Sequence, residues 1–180
     1  MAKKVKIGVI GTGGIAGAHM GGYSAAAEHC DVVACCDVKK EVAEAFAAKH
    51  GIPHVYTSYQ DMIKKEQLDA VSVCTPNFMH CKPTVFALQS GLHVLCEKPL
   101  AMNDKESKLM VDTAKKAKKQ IQVGHHMRFN GDSIALRNFV KEGALGNIYY
   151  ARVQALRRAG IPSWGVFGVK KLQGGGPLID

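Results

Sequence analysis

Six residues near the start of the chain, Gly11-Thr12-Gly13-Gly14-Ile15-Ala16, limit what it can fold into more than anything else in its 180 residues. They follow a short apolar run over Val5–Ile10 and open a segment, 15–27, with the period of a helix. A G-x-G-x-x-A pattern between strand and helix has a physical reading. The first glycine permits a tight turn, the second lets a pyrophosphate approach the backbone, and the small final residue allows close helix–strand packing. Unpaired N–H groups and the helix dipole then hold the phosphates. Gly11, Thr12, Gly13, Gly14 and Ile15 are therefore candidate cofactor-binding residues. A plain glycine turn without a ligand has the same spacing.

Asp37 stands at the end of the next apolar run, 32–36, and 26 residues after Gly11. A carboxylate there can accept hydrogen bonds from both ribose hydroxyls of an adenosine and repel a 2′-phosphate, which favours NAD. Lys39 and Lys40 leave NADP open. Asp37 also suits the N-cap of the helix that follows, and the two roles can coexist.

Beyond this point apolar runs and helical periods alternate. A helix is predicted over 41–50, a short strand at His54–Tyr56, a helix at Tyr59–Lys65 and a strand over 69–74. A helix over 79–90, a strand at His93–Cys96, a helix over 104–119 and a strand over 121–124 complete the series. Uninterrupted apolar strands imply a sheet covered on both faces, and strand–helix alternation implies parallel βαβ units. The fold class is α/β, a Rossmann-type doubly wound parallel sheet over 1–124, with its ligand site outside the strand C-termini.

After Gly124 the pattern changes. A helix is predicted over 132–142 and a one-sided, alternating strand over 147–156. A loop rich in Gly, Pro and Trp over 159–171 precedes Gly174-Gly175-Gly176-Pro177, a run that carries the signature of a new helix and ends three residues before the last. One alternating strand cannot make a sheet. Residues 125–180 therefore read as the incomplete start of a second region, and the chain as the front part of a longer protein. Without the missing sheet, this tail is expected to be disordered, to pair between chains or to fold back on the first domain.

Composition removes other classes. No stretch of about 18 apolar residues is present to span a membrane, and the N-terminus has no secretory signal pattern, so a soluble cytoplasmic protein is expected. The six cysteines form no C-x-x-C pair and read as free thiols. His80-Cys81 and His125-His126 lack zinc-site spacing, so no metal is expected. The net charge of +9 raises nucleic acid as a partner. Its densest run, Lys115-Lys116-Ala117-Lys118-Lys119, ends a predicted helix, where cations complement the dipole. No nucleic-acid motif accompanies it.

Glu97-Lys98-Pro99 directly follows the fifth strand. Proline biases Lys98 away from helical geometry, so its side chain can stand over the crevice and stabilise negative charge on a substrate oxygen. Read alone, the same residues also fit a strand-end turn with a surface ion pair. Taken with GVIGTGGIAGAHM at 8–20, Cys74-Thr75-Pro76-Asn77 with His80, Gly124-His125-His126-Met127-Arg128-Phe129, and the final glycines with Asp180, the turn resembles the Gfo/Idh/MocA family (glucose–fructose oxidoreductase, inositol dehydrogenase and relatives). The ordered set, covering essentially the whole chain, carries the resemblance.

The resemblance implies a dehydrogenase that uses NAD or NADP to oxidise a sugar, polyol or related secondary alcohol, or to reduce the ketone. It implies that Thr75, Pro76, Asn77 and His80 line the nicotinamide half of the cofactor, and that Glu97 belongs to the same site. Lys98 matches the family's catalytic lysine, with a bond to Pro99 that is often cis. Asp180 matches an acidic residue followed four positions later by a catalytic histidine, here beyond the last residue. His126, Arg128, Arg157 and Trp164 fall in or near substrate-facing segments, although Arg128 also suits a domain interface and Trp164 a core anchor. A second, α+β substrate domain that commonly mediates homo-oligomers is implied for the full-length protein, with residues 125–180 as its incomplete start. The 180 residues alone are then expected to bind cofactor with little or no turnover. A different reading, a non-catalytic dinucleotide sensor or assembly module, shares the glycine loop and Asp37 but has no need of Lys98.

Overall fold

The computed structural model describes residues 3–154, 156, 166 and 168–174. Six strands, β1 Val5–Ile10, β2 Cys30–Cys36, β3 His54–Tyr56, β4 Ala70–Val73, β5 His93–Cys96 and β6 Ile121–Val123, form one sheet in the order β3-β2-β1-β4-β5-β6. Every pairing is parallel. The connecting helices are α1 Gly14–Ala25, α2 Lys40–His50, α3 Tyr59–Lys65, α4 Cys81–Gln89 and α5 Asp104–Ala117. Alternation within the strands explains why the sheet is doubly covered, since successive side chains leave opposite faces. Val9 and Cys35 pack with Ala16 and Met20 of α1 and Phe46 of α2. Their neighbours Ile10 and Cys36 join Met62 of α3, Leu88 of α4 and Met110 of α5 in the opposite core. Burying a side chain the size of Met62, Leu88 or Met110 is worth about 1.5–3 kcal/mol.

The helix expected over 79–90 is interrupted. A 3₁₀ turn at Asn77–Met79 comes first, and α4 begins only after His80. The chain divides into two compact units, Met1–Gly124 with Val169–Asp180, and His125–Gly168. The second unit holds a 3₁₀ turn at His126–Phe129 and a helix, α6 Gly131–Lys141. The strand expected over 147–156 is not formed: its described residues have no regular structure, and Tyr149 and Val153 are 95% and 92% exposed. A strand satisfies its backbone groups only on another strand. In the first unit, a short helix that the sequence reading took for loop, α7 Lys170–Gln173, is present. The helix expected after Gly174 lies outside the described residues.

Candidate cofactor site

The C-terminal ends of the strands lead straight into the residues singled out by the sequence. Gly11 follows β1, Asp37 follows β2, Thr75 lies two residues past β4, Glu97 follows β5 and Gly124 follows β6. The strand order reverses beside β1, which has β2 on one side and β4 on the other. At such a switch point the loops diverge to opposite faces and leave a crevice.

Gly11 is held at φ +87°, and a Cβ there would lie 2.9 Å from the backbone of Cys74 and Thr75. Only glycine fits both the conformation and the approach. The turns after β1 and β4 are thus in direct contact. Thr12 is buried and ties this loop to β2: its N–H donates to Asp37 Oδ2 at 2.9 Å and its hydroxyl to the same oxygen at 3.2 Å. Asp37 Oδ1 accepts the N–H of Lys39 at 3.0 Å. Asp37 does not cap α2; the cap position is Lys39, without a side-chain hydrogen bond.

The residues present fit a dinucleotide. Gly13 and Gly14 have nothing within 4 Å of where a Cβ would stand, so the backbone is open to close approach. α1 starts after Gly13 with no side-chain cap and no acidic residue in its first turn, leaving its positive end to an external anion. Ile15, in that first turn, is half-exposed. The buried Thr75 Oγ1 has no hydrogen-bond partner among the described residues. A buried hydroxyl without a protein partner is suited to a polar ligand or water.

Around β5 a polar network crosses the interior. His19 of α1 places Nε2 2.8 Å from Glu97 Oε1 and Nδ1 3.2 Å from Ser72 Oγ on β4, and Ser72 Oγ also meets the Tyr23 hydroxyl. Glu97 Oε2 accepts the N–H of Lys98 at 3.1 Å. A Cβ at Gly124 would lie 2.8 Å from Glu97 Oε1, so glycine makes room for the carboxylate. Burial works to raise Glu97, but the hydrogen bonds from His19 and Lys98 N–H, with the charges of both, hold its carboxyl below the usual carboxylate range. Burial pushes the Tyr23 hydroxyl up, against the hydrogen bond from Ser72. Carboxylate, imidazole and hydroxyl stand in the order of an acyl-transfer triad, yet Ser72 is fully buried in the sheet and no substrate can reach it. The network is structural wiring.

Sequence reasoning passed over His19, Tyr23 and Ser72. The available signal was helical: Ala16, His19, Met20 and Tyr23 share one stripe of α1, so polar residues on that stripe face the sheet.

The Lys98–Pro99 peptide is cis, and Lys98 is half-buried at the end of β5. Pro76 is exposed, and Asn77 Nδ2 donates to Gln173 Oε1 at 2.6 Å, fastening α7 to the turn after β4. His80 is fully buried, with Nδ1 2.7 Å from the Pro99 carbonyl and Nε2 2.8 Å from the Thr75 carbonyl. His126 and Arg128 are exposed within the second unit's 3₁₀ turn. Arg157, Trp164 and Asp180 lie outside the described residues. Among those residues, no cluster of three His, Cys, Asp or Glu side chains suits a metal, and no helix is long and apolar enough to cross a membrane.

Comparison with known proteins settles the lineage. Residues 5–125 match the family model described as "Oxidoreductase family, NAD-binding Rossmann fold", GFO_IDH_MocA. The chain belongs to the Gfo/Idh/MocA family. It is 43% identical over 176 residues to D-glucoside 3-dehydrogenase of Escherichia coli (strain K12), a match covering 98% of this chain and 50% of that protein. The crystal structure of an NAD binding oxidoreductase from Klebsiella pneumoniae superposes with a TM-score of 0.83 at 26% identity, over 99% of this chain and 50% of the other. The WlbA dehydrogenase from Bordetella pertussis, in complex with NADH and UDP-GlcNAcA, gives 0.78 at 28% identity, over 82% and 45%. This Gfo/Idh/MocA chain spans half the length of the E. coli relative.

Proposed function

We propose that this chain is the cofactor-binding part of a dehydrogenase that exchanges a hydride between NAD(H) and a secondary alcohol of a sugar or polyol. The observation that carries the reading is the placement of Lys98. It stands at the C-terminal end of β5, on the same sheet edge as the glycine loop. A non-catalytic binding module has no use for a lysine there.

In this reading the N–H groups at Gly13, Gly14 and Ile15 hold the pyrophosphate, with Thr12 setting the loop against Asp37. Asp37 accepts from the ribose hydroxyls and favours NAD over NADP. Thr75, Pro76 and Asn77 flank the nicotinamide end. The bound nicotinamide supplies or accepts the hydride. Lys98 donates a hydrogen bond to the substrate oxygen and stabilises its developing negative charge. In the whole protein, Asp180 orients a histidine that accepts the hydroxyl proton, and His126, Arg128, Arg157 and Trp164 contribute to the substrate pocket. The glucoside and nucleotide-sugar names of the relatives support a sugar-like substrate, and a homo-oligomer is proposed for the whole protein.

Two measurements test the reading. Calorimetric titration of the 180-residue chain is expected to show NAD(H) binding, weaker NADP(H) binding, and no turnover of a polyol panel. In the whole protein, Lys98→Ala is expected to lower turnover by roughly 10²–10⁴-fold, as for acid–base groups, with dinucleotide affinity little changed. Turnover equal to wild type removes Lys98 from the mechanism.

A further inference from the structure

The residues on either side of Lys98 are each held by a buried histidine from a different helical segment. Before it, Glu97 Oε1 lies 2.8 Å from Nε2 of His19 on α1. After it, the Pro99 carbonyl lies 2.7 Å from Nδ1 of His80, at the start of α4. We propose that His19 and His80 are positioning residues that clamp the Glu97-Lys98-Pro99 turn from both flanks, and so fix the lysine over the crevice. The proposal rests on the dehydrogenase reading only for the use to which Lys98 is put; the clamp itself is a matter of geometry.

His80 does more than brace one loop. Its second nitrogen meets the Thr75 carbonyl at 2.8 Å, so the ring bridges the turn after β4 to the turn after β5. A carbonyl oxygen only accepts, and a neutral imidazole carries one N–H and one lone pair. With a carbonyl at both ends, a neutral ring can donate to only one of them at a time, and the tautomer decides which.

On the other flank, Glu97 is ionised and its Oε1 only accepts, so His19 Nε2 carries hydrogen. Nδ1 then faces Ser72, which can donate or accept, and His19 holds the carboxylate in either charge state.

The test uses two variants that keep a side-chain amide in place, His19→Gln and His80→Gln, with three readouts. In the 180-residue chain, ring ¹⁵N spectra at neutral pH are expected to show Nε2 of His19 protonated and at least one ring nitrogen of His80 donating a hydrogen bond. A His80 ring with no hydrogen bond at either nitrogen overturns the clamp. Acylation of the chain, read residue by residue by mass spectrometry, is expected to change the Lys98 rate at least about threefold in either variant, with the exposed Lys105 unchanged as an internal reference. An unchanged Lys98 rate in folded variants overturns the positioning role, whether or not the protein proves to be a dehydrogenase. In the whole protein each variant is expected to lower kcat by an amount approaching the roughly 10²-fold that a 1 Å misplacement costs, with KM and NADH affinity within about twofold. A loss confined to NADH affinity overturns the proposal. If the wild-type protein turns over no alcohol, the dehydrogenase reading fails, and the spectra and acylation rates still decide the clamp. Should His80→Gln fail to fold, His19→Gln and the wild-type spectra carry the same decision.

Discussion

Helices α5 and α6 are similar at the level of sequence and opposite in their surroundings. α5, Asp104–Ala117, opens with an Asn103 cap whose side chain accepts the N–H of Glu106, and it buries Met110 and Ala114 in the sheet core. α6, Gly131–Lys141, has an amphipathic pattern too, yet none of its residues is buried, and Leu136 and Phe139 are 58% and 52% exposed. Both are helices because a helix closes its own hydrogen bonds. The alternating stretch at 147–156 had no such recourse, and its described residues form no strand. Local pattern thus selects helix without help, whereas burial and strand formation need a second surface.

The largest effect that sharpens this contrast comes from truncating the two apolar faces. Met110→Ala is expected to cost about 2–5 kcal/mol, the range for a buried side chain. Phe139→Ala should stay within about 0.5 kcal/mol, as for exposed positions. Denaturant unfolding of each variant checks the pair, and an equal loss at both sites breaks the comparison.

Next is Gly11→Ala. Its positive φ alone costs about 1–3 kcal/mol for a residue with a Cβ, and the contact with Cys74 and Thr75 adds to it. The expected outcome is a lower melting temperature together with loss of dinucleotide binding. Gly131→Ala, at a site with open space and no positive φ, should leave both unchanged.

The smallest effect is a pH dependence to which the first unit's Glu97 network contributes. The Glu97 carboxyl is depressed in the fold. Its contribution to stability is present above the ordinary carboxylate pKa of about 4.3, and is lost as pH falls through the lower folded value. Unfolding free energy measured from pH 6 down to pH 3 should therefore fall less steeply in Glu97→Gln than in wild type. An identical slope would detach Glu97 from the acid response.

The sheet was legible because its strands are short, mostly apolar runs flanked by Gly, Asp or Pro, and because Gly11 and Asp37 mark the ends of the first two. The glycine loop needed only backbone reasoning, and its contact with Thr75 follows from strand order. What escaped was side-chain wiring. His80 was legible as a site residue but not as a buried bridge, since nothing in the spacing of residues 75–80 shows that Pro99 will lie against them. Gln173 was missed because a four-residue helix leaves too little periodicity to detect. The strand over 147–156 was over-read because alternation describes one face of a sheet and says nothing of its partner.

The Asp37 carboxylate has consequences for anyone who wishes to retool this fold for a different nucleotide. One of its oxygens is a strut under the glycine loop and the other fastens Lys39. On the reading proposed above, exchanging it to admit an extra phosphate also removes a beam from under the glycine loop. The exposed residues immediately after it, Val38, Lys39 and Lys40, offer side chains that can be changed while the beam stays in place. Selectivity in this chain is best remodelled beside the acid.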